Sequence, residues 1–137
     1  MRTRMKKQGF TLVEIMIVVA IIALLAAIAI PNLLRARMTS NDSLAKATLR
    51  AISTAAESYG TAHNGNYPAN EAALTGATPP YLNTAYCANS AGNGLAGYIY
   101  DCSGMYTSGY VVTASPVNIG SSGSTVETIS TGGVLTP

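Results

Sequence analysis

The 137-residue chain has no tryptophan, one phenylalanine, one histidine and two cysteines. A single His63 with Cys87 and Cys102 cannot by itself complete a four-ligand zinc site. The same scarcity excludes a disulfide-dense scaffold. Charge is also scarce: Asp, Glu, Lys and Arg make up 10% of residues, against about 25% in ordinary soluble domains. The six carboxylates, Glu14, Asp42, Glu57, Glu71, Asp101 and Glu127, are scattered along the chain and form no paired-carboxylate motif. The sequence therefore predicts no enzyme, no cofactor and no bound metal. The length leaves room for one modest domain or a small domain with an extension.

The basic residues are confined to the first part of the chain. Arg2, Arg4, Lys6 and Lys7 precede any acid, and Arg35, Arg37, Lys46 and Arg50 complete the set. After Arg50 there is no Lys or Arg, while Glu57, Glu71, Asp101 and Glu127 follow. A basic start, an apolar run and a distal part without basic residues read as an exported chain. The distal part is expected to be acidic on its surface. Duplex DNA is not expected to bind along such a surface.

From Ile15 to Ile30 every residue is Ala, Val, Ile, Leu or Met. Phe10 to Ile30 is 21 residues, about 31 Å as a helix, which matches a hydrocarbon core of about 30 Å. Ala27-Ile28-Ala29 fits an ordinary signal-peptidase site, and an uncleaved anchor fits equally well. Neither explains Glu14, a carboxylate near the start of an apolar helix, which is costly without a partner.

Lys6-Lys7-Gln8-Gly9-Phe10-Thr11-Leu12-Val13-Glu14, the apolar run and Pro31 resemble the start of type IV pilins and their pseudopilin relatives, with a class III signal peptide. The resemblance covers residues 6 to about 37. It implies that a prepilin peptidase cuts between Gly9 and Phe10 and that Phe10 becomes the N-methylated first residue. It also implies that Glu14 pairs with the N-terminal ammonium of a neighbouring subunit during assembly. Two charges in a greasy environment attract strongly, and each alone is costly.

Four segments follow: a basic leader at 1–9, removed by cleavage; a transmembrane and assembly helix at 10–31; an amphipathic helix at 32–62; and a small globular domain at 63–137. Pro31 lacks a backbone donor and is expected to kink the helix without ending it. Beyond it, Leu34, Met38, Ala45, Leu49, Ile52, Ala56 and Tyr59 form an apolar stripe with a gap at Asn41-Asp42. Arg35, Asp42, Lys46, Arg50, Ser53 and Glu57 are expected on the opposite face, toward neighbours or solvent. Tyr59-Gly60 and His63-Asn64-Gly65 read as stop signals.

Glu71 to Leu74 reads as a helical turn. Strand signals fall at Leu95–Asp101, Tyr106–Ala114, Val126–Ser130 and Gly133–Leu135, with turns at Ser103-Gly104, Ser121-Ser122-Gly123 and Thr131-Gly132. The expected fold class is α+β: a long N-terminal helix packed on a small antiparallel sheet, a pilin-like roll. Cys87 and Cys102, in an exported domain of about 75 residues, are expected to form a disulfide.

Three motifs are set aside. Gly92-Asn93-Gly94-Leu95-Ala96-Gly97 matches G-x-G-x-x-G but precedes a strand, so it reads as a loop. His63 sits in an Asn/Gly turn, where solvent is its expected environment. Asp101 and Glu127 lack the dense acidic loop a calcium site needs. The tyrosines read as core and interface filling.

The resemblance implies a structural subunit of a type IV pilus filament. It would be a membrane precursor in the inner membrane, in contact with lipid, and a surface filament once assembled. The implied partners are identical subunits, the prepilin peptidase, and an inner-membrane assembly platform with its ATPase. Adhesion, motility, DNA uptake and electron transfer remain equally open as roles. The alternatives are a pseudopilin of a type II secretion system and a monomeric, membrane-anchored periplasmic binding module. A monomer has no evident use for Glu14, which separates the last from the others.

Overall fold

A computed structural model describes residues 9–89 and 94–137. The leader residues 1–8, and Gly92 and Asn93 of the glycine-rich loop, lie outside the described residues. The elements are α1 (Leu12–Ala62), α2 (Glu71–Thr75), α3 (Tyr86–Asn89), β1 (Tyr98–Tyr106), β2 (Gly109–Pro116), β3 (Glu127–Ser130) and β4 (Val134–Thr136). The strands form one antiparallel meander in the order β1-β2-β3-β4. This is the α+β class expected from the sequence. The chain divides into two compact units between Leu34 and Arg35. The second half of α1 therefore belongs with the sheet.

In the first unit the helix is apolar on every side. Its large side chains are exposed, from Phe10 and Leu12 to Leu33 and Leu34, and the helix is long and apolar enough to cross a membrane. Pro31 lies inside α1, whose helical run continues through it. The next residue, Asn32, donates its side-chain amide to the Ile28 carbonyl at 3.1 Å.

In the second unit Ala45, Leu49, Ile52 and Ala56 of α1 are completely buried. They meet Leu74 of α2, Tyr98 of β1, Val112 of β2 and Ile129 of β3 in one core. Tyr98, Tyr100 and Tyr110 are buried, and Tyr59, Tyr67, Tyr81 and Tyr86 pack half-buried against that core. Tyrosine thus takes the place of the missing Trp and Phe, with hydroxyls left over to hydrogen-bond.

Two glycines do not act as the turn or stop residues the sequence suggests. Gly104 lies within β1, not in a turn. The register shifts between Asp101 and Gly104, so Cys102 and Ser103 bulge opposite Val112. A Cβ on Gly104 would stand 2.5 Å from the Val111 carbonyl oxygen, so the residue serves close backbone approach. The Ser103 amide donates to Asp101 Oδ1 at 2.8 Å and steadies the bulge. Gly60 is buried within α1, where a Cβ would meet the Tyr67 ring at 3.3 Å. The helix ends two residues later, before Asn64 and Gly65, both at positive φ.

The short helix α2 fits the expected turn at Glu71 to Leu74 and is capped by Asn70, which accepts from the Ala73 amide at 3.0 Å. Helix α3 has no counterpart in the sequence reading. Leu95 to Gly97 form a tight turn into β1; among the described residues no helix follows the glycine-rich loop, which excludes a dinucleotide-binding arrangement.

Candidate functional site

The N-terminal unit carries the residues singled out for processing and assembly. Gly9 and Phe10 are exposed, Phe10 at 86%. Glu14 has a partner within its own chain, which the sequence reading overlooked. The Thr11 amide donates to Glu14 Oε2 at 2.8 Å, and the Thr11 hydroxyl donates to the same oxygen at 2.7 Å. The Glu14 amide donates back to Thr11 Oγ1 at 3.2 Å. This is a capping box, and its signature, Thr-x-x-Glu ahead of an apolar run, stands in the sequence at Thr11 to Glu14. Glu14 therefore has a use in a monomer, and its presence alone does not separate an assembling subunit from an anchored one.

In the second unit the polar side of α1 is turned toward the sheet, which corrects the expectation that Asp42, Lys46, Ser53 and Glu57 face neighbours or solvent. Ser53 is buried, 2.7 Å from the Tyr110 hydroxyl. Tyr110 Oη in turn donates to Glu57 Oε1 at 2.9 Å. A carboxylate only accepts, so the Ser53 hydroxyl supplies the other proton. Glu57 also accepts from the Gly132 amide at 2.7 Å and from the Tyr67 hydroxyl at 3.0 Å.

At the other end of this half-helix, Asp42 accepts from Tyr98 Oη at 2.7 Å, from the Ser124 amide at 3.1 Å and from the Ser124 hydroxyl. Asn41 donates to the Ser122 carbonyl at 2.7 Å. The gap in the apolar stripe at Asn41-Asp42 is thus a clasp on the β2–β3 loop. Lys46 pairs with Glu127, which is 1% exposed, at 3.2 Å, and Thr125 donates to the same oxygen.

These contacts set the electrostatics. Partial burial pushes the Asp42 carboxyl up, but the hydrogen bonds from Ser124 and Tyr98 outweigh it and hold it below the usual aspartate range. For Glu57 the same contest between burial and the bonds from Gly132, Tyr110 and Tyr67 ends below the usual glutamate range. Burial, together with the carboxylate it serves, pushes the Tyr110 hydroxyl up to about 12. Four of the five acids beyond Glu14 are engaged inside the unit, while Arg35, Arg37 and Arg50 are exposed.

Cys87 and Cys102 are joined, with Cα atoms 5.9 Å apart. Cys102 lies in the β1 bulge and Cys87 in α3. Glu71, buried at the start of α2, accepts from the amides of Cys87 at 3.0 Å and Ala88 at 3.2 Å, and also from Tyr86. The Glu71 carboxylate lies within 4.8 Å of both sulfurs. In a disulfide those sulfurs offer a metal no thiolate.

Known proteins match part of this chain. Residues 4–30 match the prokaryotic N-terminal methylation motif. The chain is 49% identical over 67 residues to the type IV wide pilus major component PilA4 of Thermus thermophilus, covering 49% of this chain and 50% of that protein. It is 54% identical over 54 residues to the type IV major pilin protein PilA of Myxococcus xanthus, covering 39% of this chain and 24% of that one. Core protein G of the Pseudomonas aeruginosa type II secretion system is 35% identical over 71 residues, covering 52% and 49%. The chain spans about half the length, or less, of the curated relatives it matches. The chain thus carries the N-terminal methylation motif across the start of an exposed apolar helix, sets the second half of that helix with a four-stranded meander, and is similar over part of its length to two type IV pilins and to a type II secretion core protein.

Proposed function

We propose that the chain is a structural subunit of a type IV pilus filament, inserted in the inner membrane as a precursor and displayed at the cell surface once assembled. The observation that carries this reading is the exposed apolar segment from Phe10 to Leu34, most of which falls within the methylation motif at residues 4–30. Such a surface is stable only in lipid or against other copies. The higher identity to two major pilins than to a secretion-system core protein favours a pilus over a secretion pseudopilin.

In this reading a prepilin peptidase cuts after Gly9, and Phe10 is N-methylated. The assembly platform and its ATPase then draw the helix out of the bilayer. Residues 1–9 act as leader, 10–31 as assembly helix, 32–62 as the bridging helix with Pro31 as its kink, and 63–137 as the displayed domain. Glu14 has two duties. Its Oε2 closes the capping box, and the carboxylate charge attracts the Phe10 ammonium of a neighbouring subunit.

Two substitutions separate those duties. Glu14→Gln keeps the hydrogen bonds of a capping box but removes the charge, whereas Glu14→Ala removes both. In cells producing the chain as their only pilin, the mature protein should begin at N-methylated Phe10 by intact mass. Both variants should be processed, and both should lose surface filaments. Normal filaments from Glu14→Gln would confine Glu14 to capping. A mature chain beginning near Ile30 would remove the assembly helix and overturn the proposal.

A further inference from the structure

We propose that the head carries a binding groove for neutral saccharides, built around Tyr59, His63 and Tyr81. The His63 ring stacks on Tyr59 with centroids 3.8 Å apart and planes 8° from parallel. Tyr81 stands edge-on to both, at 67° to Tyr59 and 61° to His63. The three rings thus make a corner of flat apolar faces at the C-terminal end of α1.

Two depressions flank this corner, and Tyr59, His63 and Ala73 line both. One, of about 600 Å³, runs between the rings and the α2–Pro80 segment; the other, of about 580 Å³, runs toward Asn66, Asn70 and Thr107. Each is within the size range of small-ligand sites, roughly 300–1,000 Å³. The first is kept open by short side chains such as Ala72 and Gly76. His63 and Ala72 are exposed, so the corner is not sealed core.

The chemistry of the lining selects the ligand. Neither depression is lined by Lys, Arg, Asp or Glu, so an ionic ligand would find no counter-charge. A pyranose presents C–H faces that pack on aromatic rings and hydroxyls that both donate and accept. Asn amides and Tyr, Thr and His side chains answer both roles. Amphipathic rings with polar tips suit a ligand that is apolar on its faces and wet at its edges.

The test uses the mature full chain in a zwitterionic detergent without sugar headgroups. Cellotetraose, maltotetraose and tetra-N-acetylchitotetraose are titrated, with tetragalacturonate as the charged comparison. The readouts are amide and His63 ring shifts in proton–nitrogen NMR spectra. We expect saturable binding in the millimolar range by at least one neutral tetrasaccharide, with shifts confined to residues 59–82 and the neighbourhood of Thr107. Ala72→Arg, which fills the groove, and His63→Ala, which removes an exposed ring, should each weaken it by about tenfold or more. Both positions are exposed, and unchanged tyrosine near-ultraviolet dichroism verifies folding. Absence of saturable shifts with all three neutral sugars overturns the proposal. So does wild-type affinity in both variants, or tighter binding of the charged sugar.

Discussion

Tyr110 of β2 and Glu57 of α1, 53 positions apart in sequence, are joined by a 2.9 Å hydrogen bond from phenol to carboxylate. The bond ties the middle of the sheet to the second half of the helix. Hydrogen bonds to charged groups contribute about 1.5–3 kcal/mol. Tyr110→Phe keeps the ring in the core and removes only the hydroxyl, which also meets Ser53. Denaturant unfolding should show a loss in that range, with an unchanged denaturant slope. A loss below ~0.5 kcal/mol would mean that Gly132 and Tyr67 satisfy Glu57 without it.

Acid should unfold the head through the same carboxylates. Asp42 and Glu57 are both held below their ordinary values of 3.8 and 4.5. A depressed carboxyl contributes stability that is present above its unfolded value and lost as pH falls through the folded one. The thermal midpoint should therefore stay level from about pH 7 to 5 and decline below about pH 4.5. Glu57→Gln should start lower and decline less steeply.

The Cys87–Cys102 bridge closes a loop with a sequence separation of 15, worth about 3 kcal/mol in the chain-entropy model. Chemical denaturation with and without a phosphine reductant should differ by roughly that amount. Equal midpoints would indicate that Glu71 alone holds α3 in place.

Gly123 lies against the fully buried Tyr98, and a Cβ there would stand 2.4 Å from its hydroxyl. Gly123→Ala must displace the ring that anchors Asp42. A loss of about 1–3 kcal/mol is expected from such overpacking, with NMR shift changes centred on Asp42 and Ser124. An alanine tolerated without change would place the loop farther from Tyr98 than the structure has it.

Much of this architecture is legible in the sequence because it rests on one-dimensional signals. The uninterrupted run from Ile15 to Ile30 marks the exposed apolar half of α1, and Gly9, Phe10 and Glu14 fall within the methylation motif. Turn residues bracket β3 and β4 to within a few positions, whereas the turn between β1 and β2 lies at Thr107-Ser108 and not at Ser103-Gly104. The errors share a cause. Ser53, Glu57, Asp42 and Lys46 fall on a polar stripe, and helical periodicity assigns such a stripe to solvent. It cannot know that the sheet brings tyrosine hydroxyls and the Gly132 amide to meet them. Gly104 was misplaced in a turn because the bulge that needs it is defined by Val111 on another strand. The corner of Tyr59, His63 and Tyr81 has a local half, since Tyr59 and His63 are one helical turn apart; Tyr81 joins only through the tertiary fold. The capping box is legible as Thr-x-x-Glu at Thr11 to Glu14, ahead of the apolar run.

The contacts that hold α3 bear on how this head can come apart. Glu71 fixes α3 through three backbone amides, the disulfide fixes Cys102 in a bulge where the ladder is already interrupted, and the Leu95–Tyr98 turn fixes the entry to β1. Three ties of different chemistry, charge-assisted, covalent and backbone, thus hold α3 and the entry to β1, and a reagent that breaks one leaves the other two in place.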